Sequence, residues 1–388
     1  MDGGILHCQN SRMMRFKKIK KILLTCVLAS IVLLILTACI YLQHPVFGQS
    51  PSGTRQDHIQ QSSRYQNGKF QNSTETSTFT NGHTFWGSLR KALFDKNPDR
   101  TPGRPLPFVK TDLHQLPTDS NVVIWFGHSS CFIQVGKKRI LVDPVFSTNA
   151  SPLPGSVKAF AGTTAYTAAD MPAIDYILIS HDHYDHLDYE TMRALKDQTS
   201  HVICGLGVGA HLERWGYRPE QILEKDWHER EVLDTGFFIA AEPARHKSGR
   251  GIHQNNTLWL SFVIHSPYAS LYISGDGGYD QHFAAIGDEF GPFDLAIVEN
   301  GQYDSAWQHI HLLPEETLQV AHDVKASMLL PVHHSRFALA RHAWYEPLEH
   351  LTRIASTPGH PVVITPMIGQ PVYLHTHQSF SRWWESYK

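Results

Sequence analysis

Cysteine is scarce in this chain. Five occur in 388 residues, and three of them (Cys8, Cys26, Cys39) fall within the first 39. Cys131 and Cys204 are left for the remainder, both in apolar surroundings, and no CxxC pair occurs. Buried free thiols fit these two better than a disulfide framework. Charge is thin as well. Charged residues make up 18% and the net charge is −2. That excludes a disordered polyampholyte and a nucleic-acid binder that works by bulk charge. No solenoid-type repeat is present. Hydrophobic residues, at 41%, supply a core for one large or two modest domains. Histidine is in excess, with 26 copies. That number is compatible with metal binding, and spacing has to decide it.

Long apolar runs are confined to the N-terminus. Residues 12–21, RMMRFKKIKK, carry six cations, and Ile22 to Leu42 carry no charge. Such a run in a helix at about 1.5 Å per residue spans a hydrocarbon core of roughly 30 Å. The basic flank, residues 1–21, is expected to stay cytoplasmic, which puts everything after Leu42 outside. Leu36-Thr37-Ala38-Cys39 also resembles a lipobox, with Cys39 lipidated, and a cleaved secretory signal is a third reading. The apolar run continues through Ile40, Tyr41 and Leu42, which favours an uncleaved anchor. Residues 43–82 are rich in Gln, Ser, Asn, Thr and Gly without apolar periodicity, and read as a mostly irregular linker with room for short ordered pieces.

From residue 83 to 388 the texture is that of one globular domain. Short apolar runs recur, among them VVIWF (122–126), CFIQV (131–135), RILVD (139–143), YILIS (176–180), FFIAA (237–241), LYIS (271–274), LAIVE (295–299) and MLLPV (328–332). They read as strands, several buried on both faces. Amphipathic stretches near 189–197, 208–215, 314–324 and 345–355 read as helices. Strands come in groups rather than in strict alternation with helices, so two sheets with helices outside are expected, not a plain dinucleotide-binding pattern.

The strongest signal is His181-Asp182-His183-Tyr184-Asp185-His186, directly after YILIS. Side chains alternate in extended backbone, so His181 and His183 can point the same way while Asp185 and His186 turn to a neighbouring position. A loop of this kind can serve two metals about 3.5–4 Å apart. Other apolar runs end in the same manner. FFIAAEPARH reaches His246, LYISGDGG presents Asp276 between glycines, and MLLPVHH presents His333 and His334. If the strands share a direction, all these groups gather at one sheet edge.

In this order the residues resemble the metallo-β-lactamase superfamily, over about 120–335. The resemblance implies an αββα sandwich, here preceded by one transmembrane helix, with the active site at the sheet edge. It implies two zinc ions, with manganese or iron as alternatives. One takes His181, His183 and His246. The other takes Asp185, His186 and His333, and Asp276 bridges them.

Within the superfamily the chain is most similar to the N-acylphosphatidylethanolamine-hydrolysing phospholipase D group and its bacterial relatives. WFGHSS (125–130), LVDPVFS (141–147), HDHYDHLD, EPARH, SGDGGY, QHIHLLPEE (308–316) and PVHHSRFAL (331–339) carry that likeness. A histidine before the Pro-Glu-Glu element assists catalysis in that group, which maps to His311. Residues 334–336 are His-Ser-Arg where the best-known members have Trp-Gly-Thr.

The expected chemistry is attack on phosphorus by hydroxide, made available near neutral pH when two metals polarise a water. Asp185 and His311 are the candidate catalytic residues, with His311 read as a phosphate contact or proton donor. Asp143 would accept an N–H from a ligand histidine. His128 is a candidate site residue, and Arg336 a candidate anion binder or an exposed surface arginine. A phospholipid or another small ester is the expected substrate, at a membrane and without nucleic acid. Relatives of this type are often dimers, so a homodimer is an expectation. A lactone or small-ester hydrolase of the same fold is the second reading. A non-catalytic, metal-stabilised envelope protein is the third.

Overall fold

The computed structural model describes residues 3–95 and 97–388. Met1 and Asp2 of the expected cytoplasmic segment lie outside the described residues. Two units are distinct, Met1–Phe47 and Gly48–Lys388. The first is dominated by helix α1 (Gly3–Tyr41), which runs without a break through the basic stretch. Its part Met14–Tyr41 is long and apolar enough to cross a membrane, and none of the tested stretch is buried against protein.

The expected mostly irregular linker over 43–82 needs correction, because the second unit already begins at Gly48. Helix α2 (Thr54–Gln61) and the hairpin β1 (Tyr65–Gln66) and β2 (Lys69–Phe70) belong to it. Ile59 and Phe70 are fully buried in the main core. Two isolated apolar residues in a polar run produce no periodicity, so the sequence hid their anchoring role. Helix α3 (Phe85–Phe94) follows, capped by the Thr84 hydroxyl, which accepts from the Gly87 N–H at 3.2 Å.

Two seven-stranded sheets make up the body. The first contains β3 (Val122–Trp125), β4 (Cys131–Val135), β5 (Lys138–Val142), β6 (Ile174–Ile179), β7 (Thr199–Gly205) and β8 (Ile222–Lys225). Helices α4 (Tyr189–Leu195) and α5 (Gly209–Arg214) lie between its later strands in the chain. The second contains β9 (Glu229–Asp234), β10 (Phe237–Glu242), β11 (Ser261–His265), β12 (Ser270–Ile273), β13 (Phe293–Glu299), β14 (Ala326–Val332) and β15 (Val362–Val363). Its helices are α6 (His282–Phe290), α7 (Pro314–Asp323) and α8 (Glu346–Ile354), and β16 (Pro371–Tyr373) returns to the edge of the first sheet beside β3.

Period-two alternation decides which side chains meet. Trp125, Ile133, Ile140, Leu178 and Ile203 face Ile239, Phe262, Leu271, Ile297 and Leu330 in one core between the sheets. The alternate residues of the second sheet, Val263, Tyr272, Ala296 and Leu329, pack under Phe283 of α6, Leu318 of α7 and Leu351 of α8. The result is the expected layered α/β sandwich. Helix α6 and the edge strands β8, β9 and β16 are additions that the apolar runs did not announce.

Candidate metal centre

Strand direction builds the site. β5, β6 and β7 are parallel to one another, as are β12, β13 and β14. β10 pairs antiparallel to β11, and β11 antiparallel to β12, so β10 shares the direction of β12. The residues that follow β5, β6, β10, β12 and β14 therefore emerge at one edge, and Asp143, His181, His246, Asp276 and His333 are those residues. Gly275, at φ +59°, lets the chain turn where a Cβ would stand 2.9 Å from Ser180 Cβ.

Two donor groups result. His181 Nε2 and His246 Nε2 lie 2.8 and 3.3 Å from His183 Nδ1. Two nitrogens bound tetrahedrally to one zinc at about 2.0–2.1 Å stand about 3.3 Å apart, so this spacing suits a shared cation. In the second group, Asp276 Oδ2 is 3.1 Å from both His186 Nε2 and His333 Nε2, and Asp185 Oδ2 is 3.3 Å from His333 Nε2. Asp276 Oδ2 also lies 4.0 Å from His181 Nε2, between the two groups.

The fit to metal rests on an atom left without a partner and on the donors crowded beside it. Among the described residues, the buried Asp276 Oδ1 has no hydrogen bond, while His186 Nε2 faces carboxylate oxygens of Asp276 at 3.1 Å and Asp185 at 3.6 Å. Burial makes such an orphan costly unless a cation completes it.

Electrostatics separates the groups. Burial, with neighbouring histidines, holds His181 and His246 well below their ordinary pKa, and burial brings His183 down to about 4. All three are neutral imidazoles with free lone pairs, as ligation requires. Burial also acts to lower His186, but Asp276, Asp185 and Asp143 outweigh it and push the group up to about 10. Against the same opposing burial, Asp276 raises His333 well above its usual value. The carboxylates around these two rings therefore favour positive charge at this group.

Supporting contacts orient the rings. His186 Nδ1 lies 2.8 Å from Asp143 Oδ2, and Asp143 accepts from the Ser180 N–H at 2.8 Å and the Ser180 hydroxyl at 2.6 Å. His246 Nδ1 is 2.9 Å from the Ile310 carbonyl. His128 Nε2 is 2.9 Å from Asp185 Oδ2. His128, Asp143, Gln302, His333 and Ser335 all have positive φ, between +40° and +66°. Left-handed non-glycine residues cost of order 1 kcal/mol each and collect where function over-determines the backbone.

Glu299 was not singled out in the sequence. It is fully buried at the end of β13, with Oε2 2.8 Å from His311 Nδ1 and 3.4 Å from His333 Nδ1, and Oε1 accepting from the Gly277 N–H at 2.6 Å. The signal was available: LAIVE is an apolar run that ends in a carboxylate, like the runs that end in ligands. Arg336 is the opposite case. It does not lie on the surface, and its guanidinium is turned to backbone carbonyls. It is 1% exposed, and its guanidinium donates to the carbonyls of Thr163, Phe126 and Ser147.

The donor groups open into a cavity of about 470 Å³. His183, Asp185, His246, Asp276, His311 and His333 line it, together with Phe79, Phe85, Leu89, Trp307 and Leu339. Arg100, Lys247 and Arg341 contribute the cations.

Comparison with known proteins agrees with this geometry. Residues 138–334 match the Beta-lactamase superfamily domain family. An uncharacterised protein of Mycobacterium bovis is 37% identical over 329 residues, covering 84% of this chain and 88% of that protein. N-acyl-phosphatidylethanolamine-hydrolyzing phospholipase D 1 of Caenorhabditis elegans is 26% identical, over 72% of this chain and 92% of that one. Among solved structures, a novel metallo hydrolase from the archaeon Ignicoccus hospitalis superposes with a TM-score of 0.51 at 19% identity, over 66% of this chain and all (100%) of that chain. The sheet-edge histidines and carboxylates are thus set in a chain that belongs to the metallo-β-lactamase superfamily of metal-dependent hydrolases.

Proposed function

We propose that the chain is a membrane-anchored phosphodiesterase of phospholipase D type, acting on an N-acylphosphatidylethanolamine-like lipid with zinc in the two donor groups. The cavity carries the reading. Its lining joins the polar donor groups to the apolar side chains of Phe79, Phe85, Leu89 and Leu339. That combination suits a lipid with a charged phosphodiester and long acyl chains. A lactone or small ester would need only a small closed pocket. The nematode relative's name points to the same substrate class. The apolar helix α1 supports a membrane address, with the domain on the extracytoplasmic side as the basic flank implies.

Bound cations would polarise a water and the phosphoryl oxygens. The protein's own groups supply the rest. Lys247 and Arg100 on the cavity wall favour an anionic substrate. His311 turns Nδ1 to Glu299, which leaves Nε2 as the ring nitrogen without a protein partner among the described residues. Glu299 orients the ring, and Nε2 passes a proton to the departing oxygen as water adds to phosphorus and the phosphorus–oxygen bond on the ethanolamine side breaks. The products are phosphatidic acid and an N-acylethanolamine.

The test uses the full chain in detergent micelles with zinc and mixed phospholipids that include N-acylated phosphatidylethanolamine. Mass spectrometry should find metal-dependent phosphatidic acid that is absent with His181→Ala. A fully metallated protein that turns over no lipid but opens lactones would overturn the substrate assignment.

A further inference from the structure

Asn72 lies in the polar run before the first sheet, far in sequence from any candidate ligand. Its side-chain amide nonetheless pairs with the backbone of His246 in both directions. Nδ2 donates to the His246 carbonyl at 2.8 Å, and Oδ1 accepts from the His246 N–H at 3.1 Å. Oδ1 also accepts from Trp259 Nε1 at 2.9 Å. Two N–H donors on one amide atom and a carbonyl on the other admit a single amide orientation.

This pairing is what a neighbouring strand would supply, at a place where no strand continues. β10 ends at Glu242, four residues before His246. Asn72 is itself held in place. Phe70, two residues earlier, is fully buried and donates its N–H to the Asn255 carbonyl at 2.8 Å, and the Gln71 N–H donates to the Arg64 carbonyl at 2.9 Å. Outside the histidine trio, the ring of His246 hydrogen-bonds to the Ile310 carbonyl and touches the His311 ring. A rotation of its backbone would swing Nε2, a far corner of the ring, away from His181 and His183.

We propose that Asn72 is a positioning residue for His246. Its amide fixes the His246 backbone so that Nε2 meets His183 Nδ1 and His181 Nε2, and loss of the amide weakens metal binding at that trio. The inference rests on reading the trio as a metal site. It also makes the segment before residue 83 part of the active centre.

The experiment compares the full chain in micelles with Asn72→Ala, Asn72→Asp and Thr80→Val. The Asp variant keeps the acceptor for the His246 N–H but sets an acceptor oxygen against its carbonyl in place of the donor. Thr80→Val removes two hydrogen bonds in the same segment, to the Ser305 carbonyl at 2.6 Å and from the Gln308 N–H at 3.3 Å, neither of them to His246. Thermal unfolding checks that each variant folds. Zinc content is measured after dialysis against graded chelator, and cobalt-loaded protein is followed by visible absorption. The wild type and Thr80→Val should retain both ions. Asn72→Ala should lose one of them, with affinity about 10–100-fold weaker and an altered cobalt spectrum. Asn72→Asp should also weaken binding, and it decides the question if the Ala variant does not fold. Asn72 variants with wild-type affinity and spectrum would overturn the positioning role alone. A wild type that takes up no metal would overturn the trio as a metal site, and the role of Asn72 with it.

Discussion

His311 Nδ1 stands 2.8 Å from Oε2 of Glu299, a carboxylate with no exposure to solvent. The same oxygen lies 3.4 Å from His333 Nδ1. One buried charge therefore orients both the proposed proton donor and a proposed metal ligand, and conservative replacement of Glu299 separates these roles.

Glu299→Gln keeps the shape and removes the charge. kcat on the lipid should fall about 100-fold, within the range general-acid catalysis supplies, with KM changed less than about threefold. A p-nitrophenyl phosphodiester, whose leaving group needs no proton, should be hydrolysed at close to the wild-type rate. Equal loss on both substrates would show that Glu299 acts through the His333 ligand instead.

Asp276→Asn tests the shared carboxylate. It removes the charge that lies 3.1 Å from His186 and His333 and 4.0 Å from His181. Metal content should drop, and kcat/KM should fall about 1,000-fold, equivalent to about 4 kcal/mol of transition-state stabilisation. Metal analysis beside steady-state kinetics checks both. Retention of two ions with near-normal turnover would remove Asp276 from the centre.

Zinc uptake should release protons. His186 is pushed up to about 10, and His333 is also raised, so both rings are protonated at pH 7 in the metal-free protein. A cation at Nε2 must displace the proton, so affinity rises with pH up to about 10. Titration calorimetry in two buffers of different ionisation enthalpy should give heats that differ by about two protons per chain. Identical heats in the two buffers would contradict this.

Arg336→Met should act on stability, not on substrate binding. It strands the carbonyls of Thr163, Phe126 and Ser147. Loss of these charge-assisted bonds should cost about 3 kcal/mol in urea unfolding, with KM for the lipid unchanged. A raised KM with full stability would return Arg336 to the substrate site.

The local sequence carried much of the centre. HDHYDH after YILIS, His246, Asp276 and His333 each follow an apolar run, and parallel strand direction brings them to one edge. Such signals are short-range, because a strand and the residue that leaves it are neighbours in the chain. The sequence also marked α1 as an apolar helix, since length and absence of charge suffice for that. Tertiary structure alone decided the rest. The burial of Arg336, the partnership of Glu299 with His311, and the clamp of Asn72 on His246 join residues 12 to 174 positions apart, or hide a charge that composition places at the surface. Each depends on which backbone groups the folded sheets leave unpaired, and no local pattern encodes that.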